Sequence, residues 1–200
     1  MPFGGVAAGL RVVGRAFTLR FVPMREDLAT PESWSSPKST RAAIEDMPEG
    51  CIAVVDAMGV TDAGIFGDIL CARMAKRKVT ALVTDGVVRD GAGVISTNLP
   101  VWCRGTAAPA SVAGLTFVDW QQPIGCGGVA VFPGDFIVAD GDGCVLIPQG
   151  IIDNVVHAAV EQERLEGWIM KEVEKGLALP GLYPMNSETK ARYDAEMKNG

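Results

Sequence analysis

Apolar residues fall in short bursts along the chain, and their spacing sets the order of the predicted elements. Residues 11–22, R-V-V-G-R-A-F-T-L-R-F-V, read as a strand with a glycine break. Residues 23–39 are polar, carry three prolines and read as a long surface loop. Ser39 or Thr40 is placed to cap a short helix from Arg41 to Met47. The nearly unbroken apolar run Cys51 to Asp56 predicts a buried strand. A glycine-containing loop, Met58 to Gly64, leads to a helix from Gly67 to about Arg77. Its apolar positions are Ile69, Leu70, Ala72, Met74 and Ala75, and basic residues close the last turn, where the helix dipole favours them. A strand from Val79 to Thr84, a turn carrying Arg89 and Asp90, a short helix and a strand from Leu99 to Cys103 follow.

This alternation of strand and helix argues for an α/β fold: a parallel or mixed sheet with helices on one face. After Ala113 the texture changes. Short apolar bursts, F-I-V-A and C-V-L-I among them, are separated by Gly, Pro and Asp, which predicts a β-rich second half, antiparallel in part. A long charged helix is expected from Gln149 to about Lys175. The polar tail, 176–200, has Leu182 and Tyr183 as anchors and is expected to reach a neighbouring subunit. The whole chain, 1–200, reads as a single domain.

Composition narrows the function. Hydrophobic residues make up 48% of the chain and charged residues 21%, as in an ordinary globular protein. A net charge of −6 with scattered Lys and Arg argues against nucleic acid as the main partner. No apolar run approaches the ~18 residues of a membrane span. The start, M-P-F-G-G-V-A-A-G-L, lacks the basic and long apolar regions of a secretion signal. The five cysteines are odd in number, form no C-x-x-C pair and read as reduced, buried and structural, which points to the cytoplasm. The one histidine, His157, lies in the predicted long helix, far from any nucleophile signature. Catalysis would therefore rest on carboxylates, arginine, backbone amides and a metal ion.

Two motifs can carry such chemistry. G-D-I-L at 67–70 places the first turn of a helix, with its unpartnered amides, where an anion can sit. T-D-G-V-V-R-D at 84–90 puts Arg89 and Asp90 just past a strand end, the usual ligand crevice of an α/β sheet. Arginine grips planar oxyanions, and a lone aspartate suits Mg²⁺, which keeps most of its waters. Taken singly, the first motif also describes a plain helix start capped by Asp68, and the second a surface Arg–Asp turn. Their joint occurrence, with a buried strand between them, raises the functional reading. The Asp- and Gly-rich stretch 132–145 lacks the closing glutamate of a calcium loop and reads as turns between strands. The glycines match no nucleotide-binding pattern, and the four tryptophans are dispersed.

The run G-D-I-L-C-A-R-M-A-K-R-K-V-T-A-L-V-T-D-G-V-V-R-D, then L-P-V-W-C-R-G-T, then G-V-A-V-F-P-G-D-F-I-V-A-D-G-D-G-C-V-L-I-P, resembles the RraA-like superfamily. That group holds the class II 4-hydroxy-4-methyl-2-oxoglutarate aldolases and the regulators of ribonuclease activity A. The resemblance covers roughly residues 10–175, and its most specific part is the twenty-residue gap between Asp68 and the Arg89–Asp90 pair. It implies a swivelling β/β/α sandwich assembled as trimers or hexamers with sites at subunit interfaces. It further implies that Gly67, Asp68, Ile69 and Leu70 bind a pyruvate carboxylate through backbone amides. Arg89 would contact substrate and catalytic water. Asp90 would be the direct ligand of Mg²⁺ or Mn²⁺, and Asp68 would hold a water of the metal's shell. The implied reaction is cleavage of a 2-oxo acid to pyruvate, with oxaloacetate decarboxylation through the same enolate. Aldolases of the group also borrow an acidic residue from a neighbour's C-terminal region, for which Glu161, Glu163 and Glu166 are the candidates here. Family members usually carry a helical segment before the first strand, whereas this chain starts almost at that strand, so a truncated or misassigned start that bears on assembly is expected. Two other readings stand beside the lyase: a protein-binding regulator of an RNA-degrading endonuclease, and a carrier module with a vestigial pocket.

Overall fold

The computed structural model describes residues 10–199. Residues 1–9, over which the sequence argues against a secretion signal, lie outside the described residues. Cα packing divides the chain into two compact units, one ending at Gly150 and one beginning at Ile151.

The first unit contains strands β1 (Val12–Pro23), β2 (Ile52–Asp56), β3 (Ala81–Thr84), β4 (Val101–Trp102), β5 (Leu115–Trp120), β6 (Ile124–Cys126), β7 (Val129–Val131), β8 (Phe136–Ala139) and β9 (Cys144–Ile147). Its helices are α1 (Thr40–Asp46), α2 (Asp68–Lys76) and α3 (Gly91–Ser96). The main sheet runs β4-β3-β2-β1-β8-β9, with β5 also paired to β1. Strands β1 to β4 are parallel, and β5, β8 and β9 are antiparallel to their partners. Strands β6 and β7 form a separate two-stranded sheet.

Strand β2 shows why its sequence is an unbroken apolar run. Ile52 and Val54 enter one core with Ala16, Trp102, Ile124 and Ile137. Ala53 and Val55 enter the opposite core with Leu19, Ile44, Met74 and Leu82. Both faces of the sheet are covered, helices on one side and the β6–β7 hairpin on the other, so neither set of alternate residues can be polar. The result is the β/β/α sandwich expected from the resemblance. Strand β1 is long because it serves three partners: Val12–Arg15 with β8, Ala16–Arg20 with β2, and Leu19–Pro23 with β5. Gly14 does not break it. A Cβ there would stand 2.7 Å from the Gly50 carbonyl oxygen, so this glycine is a close approach between backbones.

Several boundaries differ from expectation. Helix α1 starts at Thr40, and the Ser39 hydroxyl accepts from the Ala42 amide at 3.2 Å, so Ser39 is the cap. The polar loop before it contains a 3₁₀ turn, Pro31–Ser35. Of the cysteines, only Cys51, Cys71 and Cys103 are buried as expected; Cys126 is half-buried and Cys144 is exposed. Cys144 opens β9, the last strand of the main sheet, where one flank has no neighbour.

In the second unit, helix α4 (Ile152–Glu174) follows a 3₁₀ turn at Gln149–Ile151, and the tail forms a further helix, α5 (Ser187–Asn199). The tail folds back on α4. Trp168, Ile169, Leu182 and Tyr193 make a small core, with the Trp168 and Tyr193 rings edge-on at 5.5 Å. Leu182 is therefore covered within its own unit, while Tyr183 is exposed. Buried Glu172 accepts from Lys175 and from Arg192, each at 2.6 Å. Among the described residues, no helix is long and apolar enough to cross a membrane.

Candidate functional site

Beyond the carboxyl ends of β2, β3 and β4, three connecting segments continue the parallel pattern. Gly64 bridges Val87 and Ala110, and Val88 bridges Thr106. The Ile65 amide donates to the Val87 carbonyl at 2.9 Å, and the Arg89 amide to the Phe66 carbonyl at 2.8 Å. Ile65, Phe66, Val87 and Val88 are buried, which anchors this extension in the core. Main-chain bonds thus tie the entry to α2 directly to the Arg89 turn.

Glycines make the approach possible. A Cβ on Gly64 would lie 2.7 Å from the Arg89 amide nitrogen, and one on Gly67 would lie 2.5 Å from Asp90 Oδ2. A Cβ on Gly93 would lie 2.7 Å from the Asp68 Cβ. Asp68, Arg89 and Asp90 are each held against a residue without a side chain.

Asp90 itself is in the left-handed region, φ 55° and ψ 44°, a conformation aspartate tolerates better than most residues. Its carbonyl accepts from the Val94 amide at 2.9 Å and starts α3, but its side chain does not cap the helix. The carboxylate accepts instead from Arg89 Nε at 2.9 Å, with both side chains partly exposed. The turn therefore does contain the Arg–Asp pair of the plainer reading. Nε is the only Arg89 side-chain atom so engaged among the described residues, which leaves the terminal nitrogens of the guanidinium for a ligand.

Helix α2 starts at Asp68, one residue inside the expected start, with Gly67 rather than Asp68 as its cap and no side-chain capping bond. Asp68 Oδ1 accepts from the Ile69 amide at 2.7 Å. Of the amides expected to cradle a carboxylate, the one on Ile69 already has an anionic partner. Gly67, Asp68, Ile69, Leu70, Arg89 and Asp90 all line one cleft of about 290 Å³. Every residue singled out for the pocket is thus brought together. Other lining residues, Trp34, Thr40, Arg41, Ala110 and Ser111, carry no recognisable motif.

The donor set suits a hard divalent cation bound by few protein groups. Asp90 presents carboxylate oxygens that no backbone amide takes among the described residues, and Asp68 stands across the α2–α3 contact. Among the described residues, no group of three or more His, Cys, Asp and Glu is placed to hold a metal. A cation here would be completed by water and substrate, as Mg²⁺ tolerates. Cys71, just behind Asp68, is buried, and burial, with Asp68 and Cys103 adding to it, pushes its thiol up to about 12. It stays protonated and is no nucleophile. His157 lies exposed on α4 with Nδ1 2.6 Å from the Asp153 carbonyl oxygen, a helix-surface position. Glu161, Glu163 and Glu166 are likewise exposed on α4. Glu161 pairs with Arg164 at 2.8 Å and Glu166 accepts from Gln162 at 2.7 Å, while Glu163 makes no ion pair among the described residues.

Comparisons with known proteins agree with this geometry. The RraA-like family model, described as Aldolase/RraA, matches residues 3–146. Protein DlpA of Legionella pneumophila is 28% identical over 87% of this chain, a stretch that makes up 27% of DlpA. A Halalkalibacterium halodurans protein, provisionally named 4-hydroxy-4-methyl-2-oxoglutarate aldolase, is 35% identical over 60% of this chain and 57% of its own length. The chain thus spans little more than half, or less, of these curated relatives. Among solved structures, Streptomyces coelicolor RraAS2, described as an unusual member of the RNase ES inhibitor RraA family, is 34% identical with a TM-score of 0.72. The match covers 84% of this chain and 79% of that one. A Pseudomonas syringae protein of unassigned function superposes with a TM-score of 0.73 at 29% identity, covering 91% and 84% of the two chains. With its sandwich, its G-D-I-L helix start and its Arg–Asp turn all in place, the chain belongs to the RraA-like family.

Proposed function

We propose that the cleft cleaves a carbon–carbon bond of a small 2-oxo acid and releases pyruvate. The observation that carries this reading is the Asp90 carboxylate, displayed from a left-handed turn and, among the described residues, held only by Arg89. Asp90, with Asp68 nearby, would hold Mg²⁺ or Mn²⁺. The bound cation supplies Lewis-acid polarisation of the 2-keto oxygen. The first turn of α2 faces the carboxylate next to that keto group. The terminal nitrogens of Arg89 donate to the oxygen on which charge develops as the bond breaks. In the aldol cleavage, the C4 hydroxyl gives its proton to a water oriented by Asp68, the C4 oxygen becomes the carbonyl of the second product, and the electrons of the C3–C4 bond pass into the pyruvate enolate, which takes a proton at C3 from water. In oxaloacetate the same bond releases CO₂ and yields the same enolate. Asp68 keeps Oδ2 available to orient the water. Substrates of this class are 4-hydroxy-4-methyl-2-oxoglutarate and oxaloacetate. Assembly as a trimer or a dimer of trimers, in the cytoplasm, is part of the reading. Light scattering that returned a stable, active monomer of 21.1 kDa would contradict the assembly.

The deciding experiment is pyruvate release from both substrates with and without Mg²⁺. Metal-dependent release is expected, and none from either acid would sink the lyase. The likeness to RraAS2 favours one second reading, a protein-binding regulator of an RNA-degrading endonuclease. Inhibition of such an endonuclease by a chain in which Asp90 has been replaced would support that reading, because it needs no metal ligand.

A further inference from the structure

The cleft lining contains a cation without a counter-ion among the described residues. Arg41, the second residue of α1, is exposed and places its guanidinium carbon 4.7 Å from the centre of the Trp34 ring. Both residues line the same cleft as Arg89 and Asp90. Nearby cations are paired: Arg73 and Arg77 with Glu45 at 2.7 and 3.3 Å, and Lys38 with Asp119 at 2.9 Å. Among the described residues Arg41 has no carboxylate partner, and the helix dipole disfavours a cation in a first turn. Stacking on an indole fixes the plane of a guanidinium and leaves its edge, with parallel N–H donors, free for a carboxylate.

Charge points the same way. The ionised side chains lining the cleft are Arg41, Arg89, Asp68 and Asp90, which cancel. A divalent cation then leaves the site two positive charges in excess, matched by a dianion and only half matched by a monoanion. We propose that Arg41, positioned by Trp34, is the subsite for a second carboxylate and makes the cleft selective for 2-oxo diacids. This rests on the function proposed above for the same cleft, and it adds the residue that reads the distal end of the substrate.

The test uses the full chain and two arms. In the binding arm, calorimetry with 2-oxoglutarate (a dianion) and 2-oxobutyrate (a monoanion) is run with and without Mg²⁺. The wild type should prefer the diacid by about 10- to 100-fold, the range of a charge-assisted bidentate contact. Arg41→Gln should bring the two within about threefold, Arg41→Lys should restore part of the preference, and Trp34→Leu should fall between. In the kinetic arm, the ratio of kcat/KM for oxaloacetate to that for 4-hydroxy-2-oxopentanoate should fall by a similar factor in Arg41→Gln. An unchanged preference in Arg41→Gln, equal binding of the two acids by the wild type, or no binding of either overturns the proposal. Absent turnover with an intact, Arg41-dependent binding preference would instead refute the lyase and leave the diacid subsite standing.

Discussion

Asp85 follows β3 and accepts from three backbone amides, those of Ala57 at 2.8 Å, Gly59 at 3.1 Å and Gly127 at 3.3 Å. Five residues on, Asp90 accepts, among the described residues, from Arg89 Nε alone. Asp56, at the end of β2, resembles Asp85: its two oxygens take the amides of Met58 at 2.9 Å and Gly125 at 3.3 Å. Asp68 resembles Asp90, with one amide on one oxygen. The four are the same residue type, placed at or beyond strand ends in the same unit. Two are fully engaged as knots that tie the β2–α2 loop to the β6–β7 hairpin. Two keep lone pairs free. A carboxylate's availability, more than its presence near a strand end, separates the pair proposed to bind a cation from the structural one.

The comparison can be broken at either end. The largest effect is expected from Asp90→Asn, which keeps a left-handed preference and the side-chain shape but removes the charge. Metal-dependent pyruvate release should fall at least about 10³-fold while the thermal midpoint moves by only a few degrees. A mutant that retains Mg²⁺-dependent turnover would place the cation elsewhere. Arg89→Lys keeps the charge but loses the fixed fork of donors, and kcat should drop about 10²-fold with a smaller change in KM. Near wild-type kcat would mean that only bulk positive charge is needed there.

Asp85→Ala should show the reverse profile. It strands amides in a partly buried hub and should cost about 2–3 kcal/mol of stability, read by urea denaturation. The free carboxylate pair should be unaffected, so the affinity for Mg²⁺ in the folded protein should hold. Gly67→Ala sharpens the contrast from the other side. Its added methyl would meet the movable end of Asp90 rather than backbone, so stability should hardly change. The displaced carboxylate should still cost roughly 10-fold in kcat/KM, and an undisturbed rate would show that the glycine is not there for Asp90.

The smallest effect concerns Glu172 in the second unit. The hydrogen bond from Lys175, with Lys175 and Arg192 charges adding to it, holds its carboxyl below the ordinary 4.5. A depressed folded value means the contribution is present above pH 4.5 and is lost as pH falls through the lower folded value. Hydrogen exchange along α5 should accelerate on acidification below that point in the wild type and lose this acid dependence in Glu172→Gln.

Much of the first unit was legible in the chain because burial on both faces leaves a continuous apolar run, as in β2 and β3. The G-D-I-L start and the Arg–Asp turn were legible because each needs particular residue types at fixed offsets. The role of Gly64, Gly67 and Gly93 was not, because what a missing side chain would have struck is a tertiary fact. Nor was the Trp34–Arg41 pair: Trp34 sits in a 3₁₀ turn and meets Arg41 of α1 with no periodic signal. Helix α5 was missed because it is polar almost all round, and Tyr193 is the member of the small core that it contributes. The exposure of Cys144 followed from its place on an outer strand, and its apolar neighbours gave no hint of that.

Strand β1 has a bearing on biosynthesis. It is synthesised well before its partners β5 and β8, which are encoded far downstream; the hydrogen bond from Thr18 to Gln122 spans 104 positions. At about 5–20 residues per second, translation needs on the order of 5–20 s to supply them. Throughout that interval a long apolar strand has one flank open to pairing with any other nascent chain. The long-range pairing that completes the sheet makes the half-synthesised polypeptide its most aggregation-prone form, and chaperones that cover extended segments would be needed most during that interval.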